Sequence, residues 1–140
     1  FGVIPMTNAE FPRRNNNIRY IGTAGGHTKA SSGYTFQFIQ KETAAIVQCL
    51  EQHGHPFSKP VSAPRFSFYD EVLLSVLYHK RLPGRDIFSR LFQKNDPKSI
   101  LRFLDNETTL AEEMAIISSL PTLPFAKAAF WKLPLISRLL

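Results

Sequence analysis

From Gly22 to Gly33 the chain reads Gly-Thr-Ala-Gly-Gly-His-Thr-Lys-Ala-Ser-Ser-Gly, without one large apolar side chain. Such a run cannot coat one face of a helix or strand against a core, so it is a turn whose course glycine permits. Ahead of it, Ile18-Arg19-Tyr20-Ile21-Gly22-Thr23 has the pattern of a short strand, and behind it a helical pattern runs to about His53. Strand, small-residue loop and helix in that order suit an anion. Backbone N–H groups can come close to a ligand where side chains are absent, and the helix directs its positive end at it. Gly22, Gly25, Gly26 and Gly33 supply the freedom, and Ser31 and Ser32 add hydroxyl donors beside the helix start. The run matches neither GxGxxG nor the P-loop, because Lys29 is followed by Ala30 and lacks the required glycines before it. A purely structural glycine turn explains the same residues.

The remainder divides by its prolines and caps. Residues 1–6 read as a second short strand, with Pro5 at its end, joined to 18–23 by a polar loop holding Arg13, Arg14 and Asn15 to Asn17. Gly54 and Pro56 close the first helix, and residues 55–66, rich in proline, form a connector. Ser67 with Asp70 is an acidic variant of a capping box for a helix to about His79, broken by Leu82-Pro83-Gly84. Ile87, Phe88, Leu91 and Phe92 then stand at turn spacing in a short helix. Asp96 caps the next, with Pro97 at its first position, to about Leu104. Thr109 with Glu112 is a capping-box pattern for a helix to about Leu120, and Pro121 and Pro124 separate it from the tail. The expected fold is therefore mainly α with about two short β-strands, organised as residues 1–54, a linker 55–66, and a helical layer 67–140.

Charge narrows the possible partners. The net charge is +6, but residues 1–66 carry seven bases and three acids and residues 67–140 ten and eight, so the excess is spread thin. Nucleic-acid binding needs a basic stripe, and only Arg13-Arg14 and Lys80-Arg81 are tight pairs; no nucleic-acid partner is expected. The last 27 residues differ, since Lys127, Lys132 and Arg138 stand without an acid among Phe125, Phe130, Trp131 and several leucines. That composition suits a helix lying at a membrane interface, or equally one packed on the rest of a longer protein. No run reaches the roughly 18 to 20 apolar residues of a membrane span, and no signal peptide is visible. The start, Phe1-Gly2-Val3-Ile4-Pro5-Met6, reads as part of something longer.

Other chemistry is weakly supported. Lone Cys49 excludes an intrachain disulfide framework and a cysteine-rich zinc site, and favours a reducing compartment. His27, His53, His55 and His79 form no HExxH-like pair, so they read as ordinary surface histidines and no metal is expected. Asp105, Glu107, Glu112 and Glu113 fall at a helix end and in a first turn, where capping and dipole complementarity explain them without catalysis. Twelve phenylalanines are ample for a core and would also suit a polyene or prenyl pocket.

The stretches Gly2-Val3-Ile4-Pro5-Met6 and Ile21 to Phe36 resemble the carboxyl-terminal part of the bacterial flavin-dependent lycopene cyclases. Asp86 to Phe92, Arg102-Phe103-Leu104-Asp105 and Leu120 to Phe125 are similar to that family's helical end. The resemblance implies the carboxyl-terminal part of an α/β, Rossmann-type FAD-binding flavoprotein ending in a helical cap. It also implies reduced FAD as cofactor, NADPH as electron source, and lycopene as substrate. Protonation of a terminal double bond, ring closure and proton loss would give β-carotene without net redox change, at the cytoplasmic side of the membrane. Gly22, Thr23, Ala24, Gly25 and Gly26, with Ser31, Ser32, Gly33 and Tyr34 at the approach to the helix, match the family's second flavin-contacting motif. Related flavoproteins commonly have an acid where Thr23 stands, which weakens a ribitol contact from this side chain. The family's GxGxxG fingerprint and its acidic proton-transfer segment are not among these residues, and Asp105-Asn106-Glu107-Thr108 resembles the latter only superficially. No catalytic residue is assigned, and the chain alone is expected neither to hold FAD tightly nor to cyclise lycopene. A prenyl reductase of the same wider group, or a helical membrane-surface or partner-binding module without chemistry, are the alternative readings.

Overall fold

The computed structural model describes residues 6–57 and 64–132. Contacts divide the chain into two compact units, Phe1–Ala63 and Pro64–Leu140. Of the strand expected over residues 1–6, only Met6 lies among the described residues, and it is not in a strand.

In the first unit one strand forms in the stretch expected to be a connecting loop, and its partner at the start of the strand expected over 18–23. Strands β1 (Arg14–Asn15) and β2 (Ile18–Arg19) pair antiparallel, Arg14 opposite Arg19 and Asn15 opposite Ile18. Asn16 turns the chain at φ +50°, a left-handed conformation that asparagine tolerates better than most residues. The Arg14 Nε donates to the Asn16 carbonyl at 2.6 Å, locking the two-residue turn. Residues 20–23 do not extend the strand: Gly22–Gly25 is a single 3-10 turn. Helix α1 (Phe36–His53) follows, and Gly54, at φ +70°, ends it by donating its N–H to the Leu50 carbonyl.

The second unit is helical throughout its described residues: α2 (Pro64–Tyr78), α3 (Gly84–Lys94), α4 (Pro97–Leu104), α5 (Leu110–Ser118) and α6 (Thr122–Lys132). The Asp96 cap forms, its carboxylate accepting from the Ser99 N–H, with Pro97 behind it. The Thr109–Glu112 capping box forms in both directions. Two expectations are corrected. The Ser67–Asp70 cap does not exist, because α2 already begins at Pro64 and places Ser67 on its exposed side. What extends the helix is Phe66, 1% exposed, packed edge-on to Phe103 and Tyr69. Pro121 does stand in the break between α5 and α6, but Pro124 does not extend it, since α6 starts at Thr122 with Pro124 in its first turn, where a missing N–H costs nothing.

Val72 and Val76 of α2, Ile87 and Leu91 of α3, Ile100 of α4, Ile116 of α5 and Ala128 of α6 form one buried cluster. Small Ala128 lets α6 lie close against α2, the most extensive helix pairing in the unit. Beside this cluster sits a fully buried carboxylate, Glu113. It accepts from Arg65 Nε at 3.0 and 3.2 Å, from the Tyr69 hydroxyl at 2.9 Å and from Thr108 Oγ1 at 3.4 Å. Reading Glu113 as a dipole-complementing acid is thus overturned: Glu112 does the capping, and Glu113 points inward to tie α5 to α2. Burial and the hydrogen bond to Glu113 raise the Tyr69 pKa, so the phenol stays the donor.

Truncation here separates two kinds of contribution. Ile100→Ala should cost about 3 kcal/mol by opening a cavity. Arg65→Ala should cost a similar amount, about 3 kcal/mol, by stranding the Glu113 charge, against about 1 kcal/mol for Tyr69→Phe. Urea denaturation of each variant checks the order.

Candidate functional site

The glycine-rich turn is built around its own backbone. The Gly26 and His27 N–H groups donate to the Thr23 and Gly22 carbonyls at 3.1 and 2.9 Å, closing the 3-10 turn on itself. Gly22, Gly26 and Gly33 have φ of +63°, +73° and +73°, which other residues adopt only under strain. Gly25 is glycine for a different reason. A Cβ there would lie 2.3 Å from the Tyr20 carbonyl oxygen and 2.9 Å from the His27 ring, so its space is filled by protein. Downstream, the Lys29 N–H donates to the Tyr34 carbonyl at 2.7 Å, while the Ser32 and Gly33 N–H groups donate to the Lys29 carbonyl.

The nine candidate residues separate by exposure. Gly25 and Ser31 are buried, Gly22, Thr23, Gly26, Ser32 and Gly33 are half-buried, and Ala24 and Tyr34 are exposed. The helix starts at Phe36, two residues beyond Tyr34, so Ser31 to Tyr34 form a turn ahead of it. Hydroxyl groups connect the turn to the helix. Thr28 Oγ1 donates to Thr23 Oγ1 at 3.4 Å and lies 3.3 Å from Thr35 Oγ1, and the Thr35 hydroxyl donates to the Gly33 carbonyl at 2.9 Å. With that hydroxyl engaged elsewhere, Thr35 makes no side-chain cap for α1, and the first turn of α1 contains no acid. The opening N–H groups of this 18-residue helix therefore have no acceptor in the side chain of the cap residue.

Beneath the turn lies a charged network that sequence reasoning missed. Glu42 of α1 is ion-paired with Arg19 of β2, and its other oxygen is 3.4 Å from His27 Nε2. Arg13 Nη1 lies 3.4 Å from the same His27 nitrogen. His27 is 5% exposed and its Nδ1 is buried without a hydrogen-bond partner, so its assignment as a surface histidine is corrected. Burial, with help from the Arg13 and Arg19 charges, pushes its pKa below the ordinary 6.5. Glu42 does not reverse this, because its charge is already engaged by Arg19. A signal existed: Glu42 stands in register with Ile39, Ile46 and Cys49, the inward face of α1. Among the described residues no three His, Cys, Asp or Glu side chains converge as a metal site.

The family model for lycopene cyclase protein matches residues 1–130. The chain belongs to the lycopene cyclase family. No curated protein and no solved structure matches it. Membership makes a polyene the general class of substrate and carotenoid biosynthesis the setting. In the second unit a groove of about 610 Å³ carries the charged Asp86, Arg90 and Lys94 beside Leu82, Ile87 and Pro121 on its walls.

Two outcomes check the site's construction. Gly25→Ala should destabilise the protein by about 2–3 kcal/mol through overpacking, whereas Gly22→Ala, with only Ile39 Cδ1 at 3.6 Å from its added Cβ, should cost about 1 kcal/mol from its positive φ. Because the folded state lowers the His27 pKa, the unfolded state takes up the proton first on acidification. Stability from neutral His27 is then complete above the unfolded value near 6.5 and declines as pH falls below it, down to the folded pKa. Thermal melts at pH 7.5 and 5.5 should show this loss, and His27→Gln should remove most of it.

Proposed function

We propose that this chain is the carboxyl-terminal part of a flavin-dependent lycopene cyclase, supplying one wall of the FAD site from its first unit and a helical cap from its second. The family match over residues 1–130 carries this reading. The donor set fits the cofactor. A pyrophosphate needs N–H and O–H donors free of competing acids, which describes the first turn of α1 and the hydroxyl of Thr23, which accepts from Thr28 and keeps its own proton to give. The same chemistry moves the contacts away from Gly25 and Ser31, which are buried, toward the helix start.

Reduced FAD, when bound, supplies electron density beside the carbocation formed as the polyene is protonated and closes its ring. The chain's own contribution is binding and orientation: the Thr23 hydroxyl, held by its bond from Thr28, donates to a phosphate oxygen, and the positive end of α1 offsets the phosphate charge. The Arg19–Glu42 pair and His27 hold β2 and the turn against α1, fixing where those donors stand. No residue here is given the proton-donating role. Glu113, the most buried carboxylate of the second unit, has both oxygens already accepting from Arg65, Tyr69 and Thr108.

Expression of the full open reading frame in lycopene-accumulating bacteria, followed by pigment chromatography, tests the reading. β-Carotene should appear. Thr23→Val should weaken FAD retention by roughly tenfold or more, the worth of a lost hydrogen bond to a charged group, with matching loss of product. Lycopene persisting beside well-expressed, flavin-loaded protein discards the cyclase and leaves a prenyl reductase, recognised by hydride in its product.

A further inference from the structure

We propose that His27 is a proton-operated latch: neutral, it locks the glycine-rich turn against α1, and on protonation it releases the turn together with the Thr23 hydroxyl that the turn holds. The ring is buried, and its Nε2 stands 3.4 Å from both Glu42 Oε2 and Arg13 Nη1. Its Nδ1 is buried without a hydrogen-bond partner. In the tautomer that carries its proton on Nε2, toward Glu42, Nδ1 is a bare lone pair. An imidazolium carries a proton on both nitrogens. Nδ1–H would then be a buried donor without an acceptor, and a third positive charge would join Arg13 and Arg19 around one carboxylate. The charged groups facing the ring come from three segments: Arg13 ahead of β1, Arg19 of β2 and Glu42 of α1, with Cys49 of α1 acting on Arg19. None of them can balance the added charge, since two are cations and Glu42 is already paired with Arg19.

What moves with the ring is set by its neighbours in the chain. The His27 N–H closes the turn on the Gly22 carbonyl at 2.9 Å, and the Thr28 hydroxyl donates to Thr23 Oγ1 at 3.4 Å. Gly22 and Gly26, at φ +63° and +73°, stand at the start of the turn and directly before the ring, so the backbone can rotate at a glycine on either side. Expelling the ring thus opens residues 22–28 as a local event, a cost far below that of unfolding the chain. A histidine freed into water titrates near 6.5, whereas burial and the Arg13 and Arg19 charges hold it lower in the closed turn. Protons therefore favour the open turn once the pH falls below about 6.5, and the open population should grow up to about tenfold between pH 7.5 and 5.5.

The latch stands on the turn alone, and only its consequence for a flavin rests on the cyclase reading. Hydrogen exchange of the full-length protein at pH 7.5 and 5.5, corrected for the intrinsic effect of pH on exchange, tests it. Protection in peptides covering residues 22–33 should fall about tenfold at the lower pH, while the helices of the second unit keep theirs. His27→Gln, neutral at both pH values, should remove the difference. Arg13→Gln should shrink it, because the closed turn then tolerates the imidazolium better; this variant keeps the ring, and a histidine that only fills space would not respond to it. Equal protection of the wild type at both pH values, or a difference that survives unchanged in both variants, overturns the latch. Flavin retained by the same samples should fall in step with protection in the wild type and stay level in His27→Gln. Retention that ignores an opened turn overturns the link to Thr23, whereas protein without flavin at either pH counts against the cyclase reading, and exchange still decides the latch.

Discussion

The arrangement of the first unit depends on Arg19 and Glu42 meeting across the inward face of α1. The hairpin has only four strand residues, too few for its own ladder to hold it. The ion pair attaches β2 to α1, and the turn from Gly22 to Gly25 then spans the gap under a fixed constraint. Both partners are nearly out of water, with side-chain exposures of 9% and 11%, so the pair is screened far less than a surface bridge. Removing one partner would leave the other charge poorly solvated, which makes the pair a determinant of geometry more than a source of net stability.

His27 sets the polarity of this arrangement. A histidine enclosed by Arg13, Arg19 and Glu42 is held neutral because two cations face it and the one carboxylate is already engaged. A charged imidazole at the same place would set three cations against Glu42 beneath the turn. The second unit solves a similar problem differently. Glu113 sits deeper than Glu42, yet its partners are one guanidinium and two hydroxyls, and the apolar cluster beside it provides the cohesion.

Local signals made the helices legible in the sequence. Asp96-Pro97, Thr109 with Glu112, and Gly54 each act within a few residues, and each forms as the pattern implies. The errors arose where distant contacts outweighed local preference. Ser67 has good capping chemistry, but Phe66 must be helical to meet Phe103, so the helix begins earlier. Residues 20–23 look extended, yet the glycines at 22 and 25 and the Tyr20 carbonyl fold them into a turn. Glu113 and His27 are polar residues whose burial is decided by Arg65 and Arg13, 48 and 14 positions away. Nothing in their immediate neighbourhood announces such partners.

The glycine-rich turn shows why composition alone does not locate a ligand. Its four glycines at 22, 25, 26 and 33 answer to two distinct demands, positive φ at three of them and the nearness of the Tyr20 carbonyl at the fourth. Both demands come from the protein's own backbone. The N–H groups of Gly26, His27, Lys29, Ser32 and Gly33 are spent on carbonyls of the turn or next to it. At the edge of the turn the Thr28 and Thr35 hydroxyl protons go to Thr23 Oγ1 and the Gly33 carbonyl, so neither the Thr23 hydroxyl proton nor the opening of α1 is used by these two. The run turns the chain back on itself just ahead of α1, whose cap residue gives its hydroxyl to the Gly33 carbonyl and so leaves the opening N–H groups without that acceptor.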